Sequence, residues 1–302
     1  MKIALAIGDP NGIGPEIAVK AALKVRGKGI QPVLVGDAFV IREYAKDAAL
    51  EVVDTQSLER PAFAPGTCDP RAGRATVEYV REAVKLCQAG RVDAIVGCPQ
   101  SETAINGAGI PFSGYSPLVA DLTGTLRDKV FLMLVAAGLR VAHVTLHESV
   151  KDALSRMTPE LVVNAGMAAA DAARRLGIAH PCIGVFGINP HAGEGGLFGA
   201  EDARITEPAV AELRRLGLAV DGPVGADLIL AQRRHDAYVA MFHDQGHIPV
   251  KLLSPLRSSA LAAGAPLLFS SVGHGCAYDI AGKGVADAGA VEATMKLLAG
   301  IA

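Results

Sequence analysis

The sequence predicts an α/β fold on a mainly parallel sheet, and three observations carry that prediction. Short apolar, β-prone runs alternate with stretches of helical apolar spacing along the whole chain. Half of the 302 residues are hydrophobic and a fifth are charged, a balance that supports a large core and is too apolar for a disordered chain. No internal repeat or low-complexity linker interrupts the pattern, so the domain boundary is hidden and the chain is expected to cross between lobes more than once.

Each element has a local reason. Residues 2–7 are an apolar β run, followed by the turn-rich GDPNGIGPE with Pro15 at a first helical position. Residues 16–25 have helical spacing, and 31–35 form a second short strand. A further unit pairs a helix over 75–87 with a strand over 92–97. The β-prone runs 130–135 and 140–145, joined by 136–139, read as a hairpin. A helix over 159–175 precedes a strand over 182–187, and a helix over 207–216 precedes a strand over 237–242. A last strand over 267–272 leads to a helix over 291–299.

Composition excludes several functions. Lys and Arg total 29 against 31 Asp and Glu, a formal charge of −2, so there is no electrostatic case for nucleic acid or an anionic membrane. Aromatics are 4% and Trp is absent, too few to stack single-stranded bases. The longest apolar run, 130–139, is half of the roughly 20 residues a membrane helix needs. The N-terminus has turn chemistry where a secretory signal would continue its apolar stretch, so a cytoplasmic protein is expected. Cys68, Cys87, Cys98, Cys182 and Cys276 are scattered with no CxxC pair, which predicts reduced thiols and neither a disulfide frame nor a zinc–thiolate site.

The chemistry gathers at strand ends. His147 ends VAHVTLHES, His191 sits in FGINPHAGEGG, and His243 sits in YVAMFHDQGH. Catalytic groups of α/β folds collect at the carboxyl ends of parallel strands. Three imidazoles there either converge on one divalent ion, leaving positions open for substrate, or are unrelated loop residues. His143 competes with His147, because strand alternation puts both on one face; its apolar run favours a core histidine. His247 lies four residues past His243, but Pro249 disfavours the helix that would pair them. Asp227 and Asp244 are candidates to orient a ligating imidazole, or are turn and cap residues. Lys251 is a candidate for carboxylate contact or proton transfer, or is a surface lysine. The Gly-rich SVGHGCAYDIAGKGVADAGA either lets backbone approach a flat ligand, with Asp279 accepting from a ribose hydroxyl, or is a flexible loop. Gly12 and Gly14 carry the same ambiguity.

GDPNGIGPE, HVTLHES, GINPHAGEGG, GPVGAD, FHDQGHIPVK and SVGHGCAYDIAGKGVAD occur in this order over nearly the full chain, which resembles the PdxA family of 4-hydroxythreonine-4-phosphate dehydrogenases. HGCAYDIAGKG is also similar to the NAD-contacting loop of isopropylmalate dehydrogenases. The resemblance implies a two-lobed α/β/α subunit, isocitrate/isopropylmalate dehydrogenase-like, in a homodimer whose active site lies between lobes and near the interface. It implies an NAD-binding lobe of 1–125 plus 256–302, and a lobe of 126–255 for metal, substrate and dimerisation. It places the metal ligands on His147, His191 and His243, the substrate lysine on Lys251, and the NAD loop on His274, Gly275, Ala277 and Asp279, with Gly12 nearby. Asp279 where NADP would need a basic residue implies NAD. Zinc is the chemical favourite for the ion, with Mg²⁺, Mn²⁺ and Co²⁺ as alternatives.

The departures from the family carry the most information. The family's phosphate-site Gly-His-Thr-Glu is matched by Gly114-Tyr115-Ser116-Pro117, leaving Tyr115 and Ser116 as the substrate-contacting candidates. Its later Asn and Arg are matched by Ala260 and Phe269, and its usual Lys by Glu102. A phosphate dianion needs charged or multiple N–H donors in a fixed cradle. Their loss leaves an apolar wall suited to a ring-shaped, unphosphorylated acid. FLMLVAAGLRVAHVTLHESV, FGINPHAGEGGLFG and SSVGHGCAYDIAG are most similar to a family branch acting on 1,2-dihydroxy-3,5-cyclohexadiene-1,4-dicarboxylate and yielding protocatechuate. A 4-phosphorylated sugar acid is the alternative. Arg140, Arg233, Arg234 and Arg257 are open candidates for a second carboxylate.

Overall fold

The computed structural model describes residues 1–46 and 49–301. It divides into two compact units, Met1–Thr123 with Pro266–Ala302, and Gly124–Ala265. In the first unit, β1 (Lys2–Ala6) leads through the Gly-rich loop into α1 (Gly14–Val25), β2 (Gln31–Gly36), α2 (Ala38–Ala45) and β3 (Glu51–Asp54). Helix α3 (Pro70–Gln88) starts five residues before the spacing predicts, because Asp69 caps it, accepting from the Arg71 N–H at 2.8 Å, and Pro70 suits the first turn. Then come β4 (Ala94–Gly97), α4 (Glu102–Gly107) and α5 (Tyr115–Thr123). Strand β1 pairs in parallel with both β2 and β4, and β3 lies outside β2. Ile3, Leu5, Leu34 and Ile95 are fully buried, as parallel strands covered on both faces require.

The second unit opens on the predicted hairpin, β5 (Phe131–Ala136) and β6 (Leu139–His143), closed by Ala137 and Gly138, both left-handed at φ 49° and 79°. Helices α6 (Val150–Arg156) and α7 (Pro159–Arg175) follow, then β7 (Cys182–Phe186), α8 (Glu207–Arg215), β8 (Ala219–Val224), α9 (Ala226–Gln232), β9 (Ala237–Ala240), α10 (His243–Leu253) and β10 (Ser259–Ala263). The strand order is β10-β5-β6-β9-β7-β8, antiparallel across β10, β5 and β6 and parallel from β6 to β8. Strand β8 carries Pro223 and ends the order, where a missing ladder donor is tolerated.

Two expectations are corrected here. Strand β6 stops at His143, so alternation does not reach Thr145 and His147; the Thr145 hydroxyl instead donates to the Met241 carbonyl at 2.6 Å. Helix α10 continues through Pro249, so His243 and His247 do share a helix. An interior proline costs about 3 kcal/mol. Here Val250, fully buried against the sheet, helps offset that cost, and the start of the helix is secured by Gln245.

The chain returns to the first unit with β11 (Phe269–Val272), parallel to β4, and ends on α11 (Gly289–Leu298), which packs on α1. Among the described residues no helix is long and apolar enough to cross a membrane.

Candidate active site

In the second unit β6, β9 and β7 are adjacent and parallel, and each releases a histidine-bearing segment beyond its carboxyl end: His147, His243 and His191. The rings of His147 and His243 stand 5.8 Å apart, centroid to centroid. His243 is stacked on His247 at 3.7 Å and 12°, and His247 lies 4.6 Å from His143. The three expected ligands do not gather tightly within the single chain: among the described residues, the group whose ligand atoms fall within 4.8 Å of one another is a different one, Cys182, Asp221 and His235.

Hydrogen-bond partners assign the tautomers. His243 Nδ1 lies 2.7 Å from Asp244 Oδ1 and His191 Nδ1 lies 2.9 Å from Glu194 Oε2. Each Nδ1 therefore donates to a carboxylate, which leaves each Nε2 lone pair for a cation. His143 Nδ1 donates to the Leu132 carbonyl at 3.1 Å, so its Nε2 accepts from His247 Nδ1 at 3.1 Å. Burial, then the neighbouring His247, pushes His143 down to about 3. Burial, then His243, pushes His247 down to about 4. Both rings are neutral near pH 7, which keeps positive charge away from any bound cation.

Glu194 and Gln245 belong to the candidate site by their hydrogen bonds, and the sequence reading missed them. Glu194 could have been read from the His-x₂-Glu spacing in PHAGEGG. It reaches His191 because residues 191–195 all adopt left-handed backbone, at φ 53°, 53°, 85°, 45° and 64°. Gln245 ties the site together: its Nε2 donates to the Gly187 carbonyl at 3.0 Å, and its Oε1 accepts from the Met241 and Phe242 N–H groups. Left-handed backbone costs an L-residue about 1–2 kcal/mol. Ala192→Gly is therefore expected to raise unfolding stability by about 1 kcal/mol, measured as an increased urea midpoint at unchanged slope.

Lys251 lies on α10 eight residues after His243, so His243, His247 and Lys251 line one helix face. Its Nζ donates to Ser258 Oγ at 3.1 Å, and burial holds its pKa below that of a free lysine. Asp244 is exposed beside His243, and Asp227 is exposed in the first turn of α9. Among the arginines, Arg140 donates to the Asp236 carbonyl just before β9, and Arg233 and Arg234 also precede β9, at the end away from the histidines. Arg257 adjoins Ser258, the partner of Lys251.

In the first unit, the GDPNGIGPE loop and the loop after β11 are bound to each other. The Ile13 N–H donates to the Cys276 carbonyl at 2.9 Å, and the Tyr278 hydroxyl donates to Asp9 Oδ2 at 2.7 Å. Burial raises the Asp9 carboxyl, against the Tyr278 and Asn11 hydrogen bonds that lower it. Gly12, expected at the cofactor, is spent on this contact: a Cβ there would stand 2.9 Å from Cys276 Cβ. His274 and Ala277 are half-buried, Ala277 at φ 43°, while Gly275 and Asp279 are exposed. Tyr115, expected to touch substrate, turns its hydroxyl inward to the Cys98 carbonyl at 2.6 Å and packs its ring 5.3 Å from Phe269. Ser116 is buried in the first turn of α5.

Residues 7–298 match the family described as Pyridoxal phosphate biosynthetic protein PdxA. The chain is 53% identical over 305 residues, 98% of its length and 96% of the relative's, to a 1,2-dihydroxy-3,5-cyclohexadiene-1,4-dicarboxylate dehydrogenase from Comamonas sp. It is 39% identical, over 94% of its length and 92% of the relative's, to a D-threonate 4-phosphate dehydrogenase from Cupriavidus necator. A crystal structure of a terephthalate 1,2-cis-dihydrodiol dehydrogenase from Burkholderia xenovorans LB400 superposes with a TM-score of 0.77 at 50% identity, covering 99% of this chain and 98% of that one. The fold alone is shared with isocitrate dehydrogenase from Methylococcus capsulatus, at a TM-score of 0.53 and 16% identity over 98% of this chain and 84% of that one.

Proposed function

From its membership of the PdxA family, to which this chain belongs, we propose that it oxidatively decarboxylates the cis-dihydrodiol of terephthalate, 1,2-dihydroxy-3,5-cyclohexadiene-1,4-dicarboxylate, to protocatechuate. The observation that carries the reading is the 53% identity over 98% of the chain to a dehydrogenase of that dicarboxylate. The buried Tyr115–Phe269 pair, where the phosphate-using branch has its charged cradle, supports it. The enzyme is a dehydrogenase acting on a CH–OH group.

The chemistry balances without a further reactant. Oxidising the secondary alcohol makes the adjacent carboxylate β to a ketone. Loss of CO₂ leaves its electron pair in the ring, and the enediol so formed is an aromatic catechol. The dicarboxylate and NAD⁺ thus give protocatechuate, CO₂ and NADH. When bound, NAD supplies the hydride acceptor and a divalent cation, zinc by preference, supplies Lewis-acid polarisation of the reacting oxygens. The carboxylate-bound imidazoles of His191 and His243 have the donor chemistry of cation ligands, and with His147 they would hold the ion. His274, Gly275, Ala277 and Asp279 would hold NAD, with Gly12 setting the loop.

The chain's own residues do the rest. Lys251 contacts the departing carboxylate, held in place by Ser258. Arg257 takes the second carboxylate. Asp244 and Glu194 orient His243 and His191. Asp227 adds negative charge at the start of α9. Tyr115, packed on Phe269, and Ser116 offer no charged cradle for a phosphate. The family's assembly, a homodimer in the cytoplasm, completes the reading.

The test is absorbance of NADH on a panel of the terephthalate dihydrodiol, 4-phosphohydroxythreonine and 4-phosphothreonate, with and without chelator. Turnover of the dihydrodiol alone, lost on chelation, is expected; turnover confined to a phosphate ester would overturn the proposal. A pH profile adds a second check. Contact with a carboxylate needs the Lys251 ammonium, and burial lowers the pKa at which that proton is lost. The alkaline limb of kcat/KM is therefore expected below the free-lysine range, and Lys251→Met should remove that limb and lower kcat/KM about 100-fold.

A further inference from the structure

The dispersed cysteines predict no zinc–thiolate site, yet folding brings one of them to a histidine and a carboxylate. Cys182, Asp221 and His235 offer ligand atoms that all lie within 4.8 Å of one another. Cys182 opens β7 and Asp221 is paired with Gly184 of β7 across the ladder, so alternation puts both side chains on one face. The His235 ring lies over Gly184, where a Cβ would come 3.1 Å from its Cγ. Its Nε2 is 2.8 Å from Asp221 Oδ2, its side chain is only 3% exposed, and its Nδ1 is buried with no hydrogen-bond partner. Asp236 pins the Cys182 backbone on the other side, accepting from its N–H at 2.8 Å and donating to its carbonyl at 2.9 Å.

We propose that Cys182, Asp221 and His235 form a second metal site, taking one zinc-class divalent ion apart from the histidines of the candidate active site. One thiolate, one imidazole and one carboxylate are the donor mixture such an ion accepts, and the exposure of Asp221 leaves a fourth position for water. Ligand distances of about 2.0–2.3 Å separate tetrahedral ligand atoms by about 3.3–3.7 Å, within the span already present. The site lies at the amino ends of β7 and β9, whereas His191 and His243 follow their carboxyl ends. Four or five residues of strand hold the two positions about 15 Å apart. Binding releases the thiol proton and moves the His235 ring proton from Nε2 to Nδ1, freeing Nε2 as a ligand. It ties the starts of β7 and β9 to β8, and so stabilises the second unit without entering turnover.

Cobalt(II) titration of the reduced full-length protein tests this, because a thiolate–cobalt charge-transfer band in the near ultraviolet cannot come from a site made of imidazoles alone. The wild type is expected to show the band complete within two equivalents, one for each proposed site, and Cys182→Ser and His235→Asn to lose it. His191→Ala keeps it, whatever becomes of the catalytic reading, and so does Cys68→Ser, which removes the exposed thiol. Zinc should raise the Tm of His191→Ala and leave that of the His191→Ala/Cys182→Ser double variant unchanged. A wild type without the band at saturating cobalt, or a band that survives Cys182→Ser, overturns the proposal.

Discussion

Replacing His191 by alanine is expected to lower kcat by about 10³-fold, close to 4 kcal/mol of lost transition-state stabilisation, while leaving the fold intact. The separation of the two effects follows from the geometry. The His191 side chain is 67% exposed, with an exposed carboxylate partner in Glu194 and an edge contact to the exposed Phe198 ring. Breaking such a surface pair costs about 0–1 kcal/mol. Alanine is tolerated at this left-handed position, since Ala192 beside it has the same φ of 53°. Removing a proposed inner ligand, by contrast, removes polarisation that no neighbour replaces. Bound metal and turnover should fall together in the variant, while the Tm of the metal-free protein stays unchanged. Wild-type turnover with wild-type metal content would sink the three-histidine site. Glu194→Gln is expected to do less, about 10–100-fold, because it only loosens the orientation of the ring.

Gly246→Ala is expected to destabilise the protein by about 2 kcal/mol, although the substitution adds a good helix former to a helix. Alanine gains about 1 kcal/mol over glycine within a helix. Its Cβ, however, would stand 2.2 Å from His143 Nε2 and 2.8 Å from Val141 Cγ1. His143 cannot yield cheaply: it is buried, with one ring nitrogen on the Leu132 carbonyl and the other on His247. Overpacking costs about 1–3 kcal/mol and a broken buried hydrogen bond about 1–3 more, so the clash outweighs the propensity. A Tm fall of about 5 °C is the expected scale. Because His247 stacks on His243, kcat should drop as well. The decisive control is the double-mutant cycle with His143→Ala, where the ring is gone, only the Val141 contact remains, and Gly246→Ala should cost much less. A destabilisation of undiminished size in that background would refute crowding against His143 as the cause.

Much of the scaffold was legible locally. The helix expected over 159–175 is α7 at the same bounds, since Thr158 caps it and Pro159 suits its first turn. The hairpin of β5 and β6 followed from two β-prone runs flanking a short turn. Strands β8 and β10 were not legible, because a Gly-Pro pair in one and a small-residue SALAA in the other lack the β-branched and aromatic signal of a strand. Helix α10 was hidden by Pro249. At the site, the three strand-end histidines could be named from sequence and Glu194 had only its His-x₂-Glu spacing to signal it, while Gln245 had none, because its role depends on a long-range contact to Gly187.

The sequence by itself determined the α/β class, the family and the residue types available for chemistry, because periodicity, capping and ordered motifs act over a few residues. Tertiary structure alone decided which strands are neighbours. The adjacency of β6, β9 and β7 is a matter of non-local pairing, and it is what sets His147 and His243 side by side. The same long-range packing turned Tyr115 and Gly12 inward and brought Cys182 to His235. No pattern along the chain encodes those contacts, since each depends on burying one element's apolar face against another far away in sequence.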